Sequence, residues 1–162
     1  MGPYRKSRLK RPVVVAVFVG LVAGCTHAIP LSATVEGPPT VTQIPLAVGV
    51  FYSREFREYV HSGSRGGDRW EFPLGSASVK LFDQVLSMMF ERVVPVSSRP
   101  PLAAGGPALA AVIEPKVEEF DFTIPFLKTS TFTAEIAYRV TLYSPQGDPF
   151  ASWVVRGAGA KP

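Results

Sequence analysis

Few side chains in this sequence could do chemistry, and the most telling of them is a thiol. Cys25 is the only cysteine among 162 residues. Imidazoles stand only at His27 and His61, and carboxylates gather at Glu114, Glu118, Glu119 and Asp121. Covalent catalysis needs a nucleophile beside a base, and a metal site needs several converging His, Cys, Asp or Glu donors. Two scattered histidines and one cysteine meet neither need. His27 lies two residues from Cys25, and His61 borders a Gly-rich stretch where a surface histidine is expected. No serine stands in a nucleophile-elbow pattern. Gly63-Ser64-Arg65-Gly66-Gly67 lacks the Gly-Lys-Ser/Thr ending of a phosphate loop and reads as a plain loop. The four carboxylates read as a solvated strand edge that discourages sheet-to-sheet pairing, with metal or cationic-partner binding as the minor alternative. These residues predict no catalytic group, no metal site and no enzyme.

What Cys25 can do is set by the residues before it. Arg5, Lys6, Arg8, Lys10 and Arg11 form a basic start. An apolar run follows over residues 13–22, and then the small residues Ala23 and Gly24. This is the order of a secretory signal with its cleavage site. A membrane span would need about 20 apolar residues, more than the run supplies. Its β-branched residues, with Gly20 and Gly24 close by, make a poor soluble helix. The basic segment lacks the paired arginines of a twin-arginine signal. Ala23-Gly24 alone would also serve a general signal peptidase, with no lipid involved. Leu21-Val22-Ala23-Gly24-Cys25, however, resembles the lipobox of bacterial lipoproteins. That resemblance implies cleavage between Gly24 and Cys25, a diacylglycerol on the Cys25 sulfur, and an acyl chain such as palmitate on the new N-terminus. No other cofactor is expected.

Removing residues 1–24 changes the charge balance. The whole chain has 17 Lys+Arg against 13 Asp+Glu. Five of the basic residues and none of the acidic ones precede Cys25, which leaves 12 against 13, a formal −1. The basicity belongs to the leader, and no nucleic-acid partner is expected. The remaining length suits one domain, and no disulfide within the monomer is available to hold it, so packing must. Residues 25–42 carry Pro30, Gly37, Pro38 and Pro39 without helical or strand period, and read as a lipidated N-terminus with a flexible tether. A tether of that length spans on the order of 20–25 Å on average. Residues 43–162 read as a single periplasmic domain.

Within that domain the patterns predict an α+β fold: a small mixed or antiparallel sheet, one amphipathic helix on one face, and a C-terminal β-hairpin. Residues 46–52 are a short apolar run, read as a buried strand. Residues 54–60 fit strand or helix, residues 61–68 read as a loop, and Trp70-Glu71-Phe72 as a brief strand. A helix follows, capped by Ser76 or Ser78, with Phe82, Val85, Leu86, Met89 and Val93 on one face. Residues 98–107 read as a loop. Strands are expected at 108–113 and 117–122, with Pro115 marking an edge or a bulge between them. Strict alternation makes residues 132–143 the clearest strand, with Phe132, Ala134, Ile136, Tyr138, Val140 and Leu142 on one face. Residues 144–149 make a turn, and residues 150–156 return as the hairpin partner. Trp153 shares a face with Ala151 and Val155 and is expected beneath the helix. Trp70, Tyr138 and Trp153 are the aromatic residues singled out as a candidate interaction face.

The order strand, helix, strand, long strand, hairpin return resembles small Gram-negative outer-membrane lipoproteins, namely the YajG-like and lipopolysaccharide-assembly (LptE-like) groups. The residues carrying it are the lipobox at Cys25, the run from Gly75 to Leu86, the acidic strand at residues 114–122 and the hairpin from Tyr138 to Trp153. Such proteins usually continue into a second helix over the same sheet face. This sequence ends instead at Gly157-Ala158-Gly159-Ala160-Lys161-Pro162, which implies that a partner covers the face or that the chain lacks a C-terminal helix. Thr26, in place of Asp, implies the outer membrane rather than the inner. The expected function is a membrane-anchored, non-enzymatic accessory or interaction module that faces the periplasm and binds an envelope protein during envelope assembly or transport. The alternative is a carrier or sensor of an apolar or lipid ligand.

Overall fold

The computed structural model describes residues 26–29, 42–103, 107–124 and 131–161. Ten elements follow in chain order: β1 (Thr26–Ala28), β2 (Ile44–Val50), α1 (Arg54–Arg57), β3 (His61–Arg65), β4 (Asp68–Phe72), α2 (Leu74–Met89), β5 (Phe90–Pro95), β6 (Ala111–Thr123), β7 (Phe132–Tyr143) and β8 (Pro149–Lys161). They build a five-stranded mixed sheet in the order β5-β2-β6-β7-β8 and a three-stranded sheet in the order β1-β4-β3. β2 runs parallel to both β5 and β6, and the β6-β7-β8 meander is antiparallel. The α+β expectation holds.

Long β6 joins the two halves of the structure. Ile113, Pro115 and Val117 point into a core with Val48, Val50, Phe56, Phe82, Leu86, Tyr138 and Val140. A bulge between Val117 and Glu119 then inserts one residue, so Glu118 and Glu119 are both exposed. That extra residue reverses the alternation and brings Phe120 and Phe122 to the same inward side. They pack with Phe72 and Leu74 in a second core beneath the small sheet. Without the bulge, a strict period of two would turn both phenylalanines to solvent. Pro115 lies just beyond the last pair between β2 and β6, Val50 with Ile113. β6 has lost its β2 neighbour there, which is where a residue without N–H is tolerated.

Several local expectations are corrected. Thr26–Ala28, read as the start of a tether, is a strand paired with Arg69–Glu71. Residues 61–68, read as a loop, form the β3–β4 hairpin, turning at Gly66 and Gly67, whose φ values of 64° and 90° favour glycine. α2 starts at Leu74, after Pro73, and no side chain caps it. Ser78 is instead buried and hydrogen-bonds the Tyr138 hydroxyl at 2.7 Å. The helix stops at Met89 because β-branched Val93 and Val94, ahead of Pro95, favour the strand β5 that pairs with β2. β8 runs to Lys161, well beyond the expected hairpin return.

Candidate functional site

α2 presents a stripe at helical spacing to the large sheet. Ala77, Phe82 and Leu86 are buried, while Leu81, Val85 and Met89 sit at the side of the stripe. The helix covers the β2–β6 half of the sheet face. It also reaches Tyr138 and Val140 of β7, which are buried with Phe82, but leaves the apolar face of β8 open. The gap between them is a groove of about 400 Å³. One wall is Leu81, Val85, Met89 and Phe90; the floor and far wall are Ile136, Tyr138, Val140, Leu142, Trp153 and Val155. Cross-strand register explains the floor, since Tyr138 stands opposite Val155, Val140 opposite Trp153, and Leu142 opposite Ala151. Alternate residues of paired strands must share a face.

The lining has almost no polar chemistry. The Tyr138 hydroxyl is occupied by Ser78, and burial pushes its pKa up despite that bond. Arg156 borders one end, but alternation along β8 turns its side chain to the opposite sheet face, where it pairs with Glu119 at 3.3 Å. Such an arrangement can hold an apolar group by excluding water from it, and it offers no proton donor or nucleophile to one. Met89, Trp153 and Val155 remain exposed along the groove, Trp153 at 45%. Trp153 is thus no core residue beneath the helix but part of an open wall, because α2 stops short of β8.

The other singled-out residues are dispersed. Tyr138 is the buried groove floor, only 6% exposed. Trp70 belongs to the small sheet, where it stacks on His27 with ring centroids 4.7 Å apart. The candidate interaction face therefore divides, with Tyr138 and Trp153 together and Trp70 elsewhere. Cys25 and Gly24 lie outside the described residues. His61 is no simple surface histidine: its ring packs against Phe72, Phe120 and Phe122, and the resulting desolvation lowers its pKa although Asp121 opposes the shift.

The acidic cluster sits on the stretch of β6 beyond its pairing with β2, a sheet edge as expected, but each carboxylate is paired with its own arginine. Arg99 Nε donates to Glu114 at 2.7 Å, Arg65 meets Asp121 at 3.2 Å, Arg156 meets Glu119, and Arg139 meets Glu118. Glu114, at 7% exposure, is the one buried carboxylate among the described residues, and its bond to Arg99 raises the arginine's pKa. The exposed pairs are each worth about 0–1 kcal/mol. No group of three or more His, Cys, Asp or Glu among the described residues is placed to share a metal ion. The sequence signals the carboxylates but not their partners, which come from β3, β7, β8 and the segment before β6.

No family model and no curated protein matches the sequence. Solved structures similar to it include three bacterial proteins. The DUF330 protein XCC0632 of Xanthomonas campestris shares 15% identity and a TM-score of 0.49, over 83% of this chain and 78% of that one. The lipoprotein GNA1162 of Neisseria meningitidis shares 11% identity and a TM-score of 0.39, over 72% and 84%. The hypothetical protein CT253 of Chlamydia trachomatis shares 10% identity and a TM-score of 0.38, over 71% and 73%. Among the described residues no helix is long and apolar enough to cross a membrane.

Proposed function

We propose that this chain is a non-enzymatic lipoprotein of the bacterial envelope, held through Cys25 at the periplasmic face of the outer membrane, that docks an amphipathic helix of an envelope partner in the groove beside α2. The groove itself carries the reading. A sheet face must be buried against another layer, and α2 does not reach across β8. A second helix lying beside α2 on β7 and β8 would bury Met89, Trp153 and Val155 and complete the layer. A photo-crosslinking residue at Trp153 should capture the partner in the native envelope, while the same residue at Ser152, on the opposite sheet face, should not. Equal capture from both positions would defeat the docking claim. Separately, Cys25→Ser should release the protein from the outer-membrane fraction, and unchanged recovery would defeat the anchor.

The second reading, a carrier or sensor of a lipid, has one observation in its favour. Water takes about 30 Å³ per molecule and a methylene is of similar size, so the groove has room for an acyl chain of roughly a dozen carbons. A copurifying lipid seen by native mass spectrometry of the unlipidated domain would decide for this reading, and an empty groove would end it.

A further inference from the structure

We infer that the tip of the β3–β4 hairpin, Arg65 to Asp68, is the part of the domain that meets the bilayer. The inference rests on the proposed lipidation of Cys25 and goes beyond it, because an acylated residue on a long tether would leave the domain free to face any way. Thr26, one peptide bond after Cys25, is already in the fold. It pairs with Arg69, next to the hairpin tip, and the register continues through His27 with Trp70 and Ala28 with Glu71. Four further contacts hold β1 in place. The Ile29 amide donates to the Glu71 carbonyl at 3.1 Å, and Ile29 packs against the second core. His27 stacks on Trp70 and approaches Asp68 at 3.7 Å. Consecutive Cα atoms are about 3.8 Å apart. The acylated residue therefore has almost no slack, where a long flexible tether would have allowed on the order of 20–25 Å. The stretch between β1 and β2 then links two parts of one fold and does not link lipid to fold.

The tip suits that position. Gly66 and Gly67 have open space around them, and Ser62 and Ser64 alternate outward beside Arg69 and Glu71. The far end of the domain is the β7–β8 turn. Gly63 lies against Phe122, which is opposite Ala134, and from there β7 runs to Tyr143, about 30 Å away.

The test uses the full lipidated protein in vesicles of phosphatidylethanolamine and phosphatidylglycerol. With Cys25 acylated, Ser64→Cys or Gln146→Cys supplies the only free thiol for a spin label. Flotation with the vesicles reports the anchor by itself. A relaxing agent bound to lipid headgroups should act several-fold more strongly on the label at 64 than at 146. A ten-residue Gly/Ser insertion between Cys25 and Thr26, about the length of a flexible linker that frees the domain to tumble, should abolish that contrast while flotation persists. Flotation with equal effects at both sites overturns the orientation and leaves the anchor standing. Failure to float removes the anchor, and the orientation with it.

Discussion

Gly75 is the position where the packing of α2 can be tested most sharply. It is the second residue of the helix, and its amide donates to the Tyr59 carbonyl at 2.9 Å. A Cβ built there would lie 2.1 Å from the Arg57 carbonyl oxygen, 2.5 Å from the Arg57 carbonyl carbon and 2.8 Å from the Phe56 oxygen. Ordinary carbon–oxygen contact begins near about 3.3 Å, so Ala would have to push the helix about 1 Å away from α1. α1 cannot easily yield, because Phe56 is buried in the main core and Ser53 caps the helix by accepting from the Phe56 amide at 3.1 Å. In an open helix Gly→Ala would gain about 0.5–1 kcal/mol. Here overpacking costs about 1–3 kcal/mol, and weakening the amide bond to Tyr59 adds about 1 kcal/mol. The clash outweighs the propensity gain, and Gly75→Ala should destabilise by about 2 kcal/mol. With a urea slope of about 2 kcal/mol/M, the unfolding midpoint of the unlipidated domain should fall by about 1 M. Ser76→Ala, one residue on and exposed, is the control and should hold or slightly raise the midpoint. If Gly75→Ala is as stable as Ser76→Ala, then α1 and α2 do not approach as described, and the groove wall they position is misplaced too.

Three further outcomes are expected. Tyr138→Phe and Ser78→Ala should each cost about 1–2 kcal/mol by stranding a buried hydroxyl, and the double variant should cost less than their sum, read in urea melts. Additive costs would mean the bond is not formed. Lowering the pH from about 7.5 to about 5.5 should destabilise the domain in part through His61, since burial among phenylalanines holds its folded pKa below the unfolded value near 6.5 and the unfolded chain takes the proton first. His61→Phe should flatten that dependence, and an unchanged slope would refute the assignment. Trp153→Ala should cost no more than about 1–2 kcal/mol in urea melts, because the side chain is already 45% exposed, yet sharply reduce the fluorescence of an apolar dye bound to the groove. Undiminished dye binding would place that site elsewhere.

Regular alternation and helical spacing are local, and both are legible in the residues alone. The strand at residues 132–143 coincides with β7, and the Phe82–Leu86 stripe lies on α2 as its spacing requires. The apolar face of β7 and the Ala151–Trp153–Val155 face of β8 can each be read without knowing how the strands pair. That α2 stops short of β8 cannot be read that way, because a helix's lateral position on a sheet depends on contacts such as Gly75 against α1.

The signal-like leader, the charge balance of the chain beyond it and the α+β class are written in the sequence, since each depends on neighbours along the chain. The β1–β4 pairing, the β6 bulge that keeps Phe120 and Phe122 inside, and the arginine opposite each β6 carboxylate belong to the tertiary structure. Their partners lie tens of residues apart, and a three-residue strand such as Thr26–Ala28 has no period to read; only the exposed edge of β4 makes it a strand. The open groove is a property of the same kind, created by the space that neither α2 nor the sheet fills.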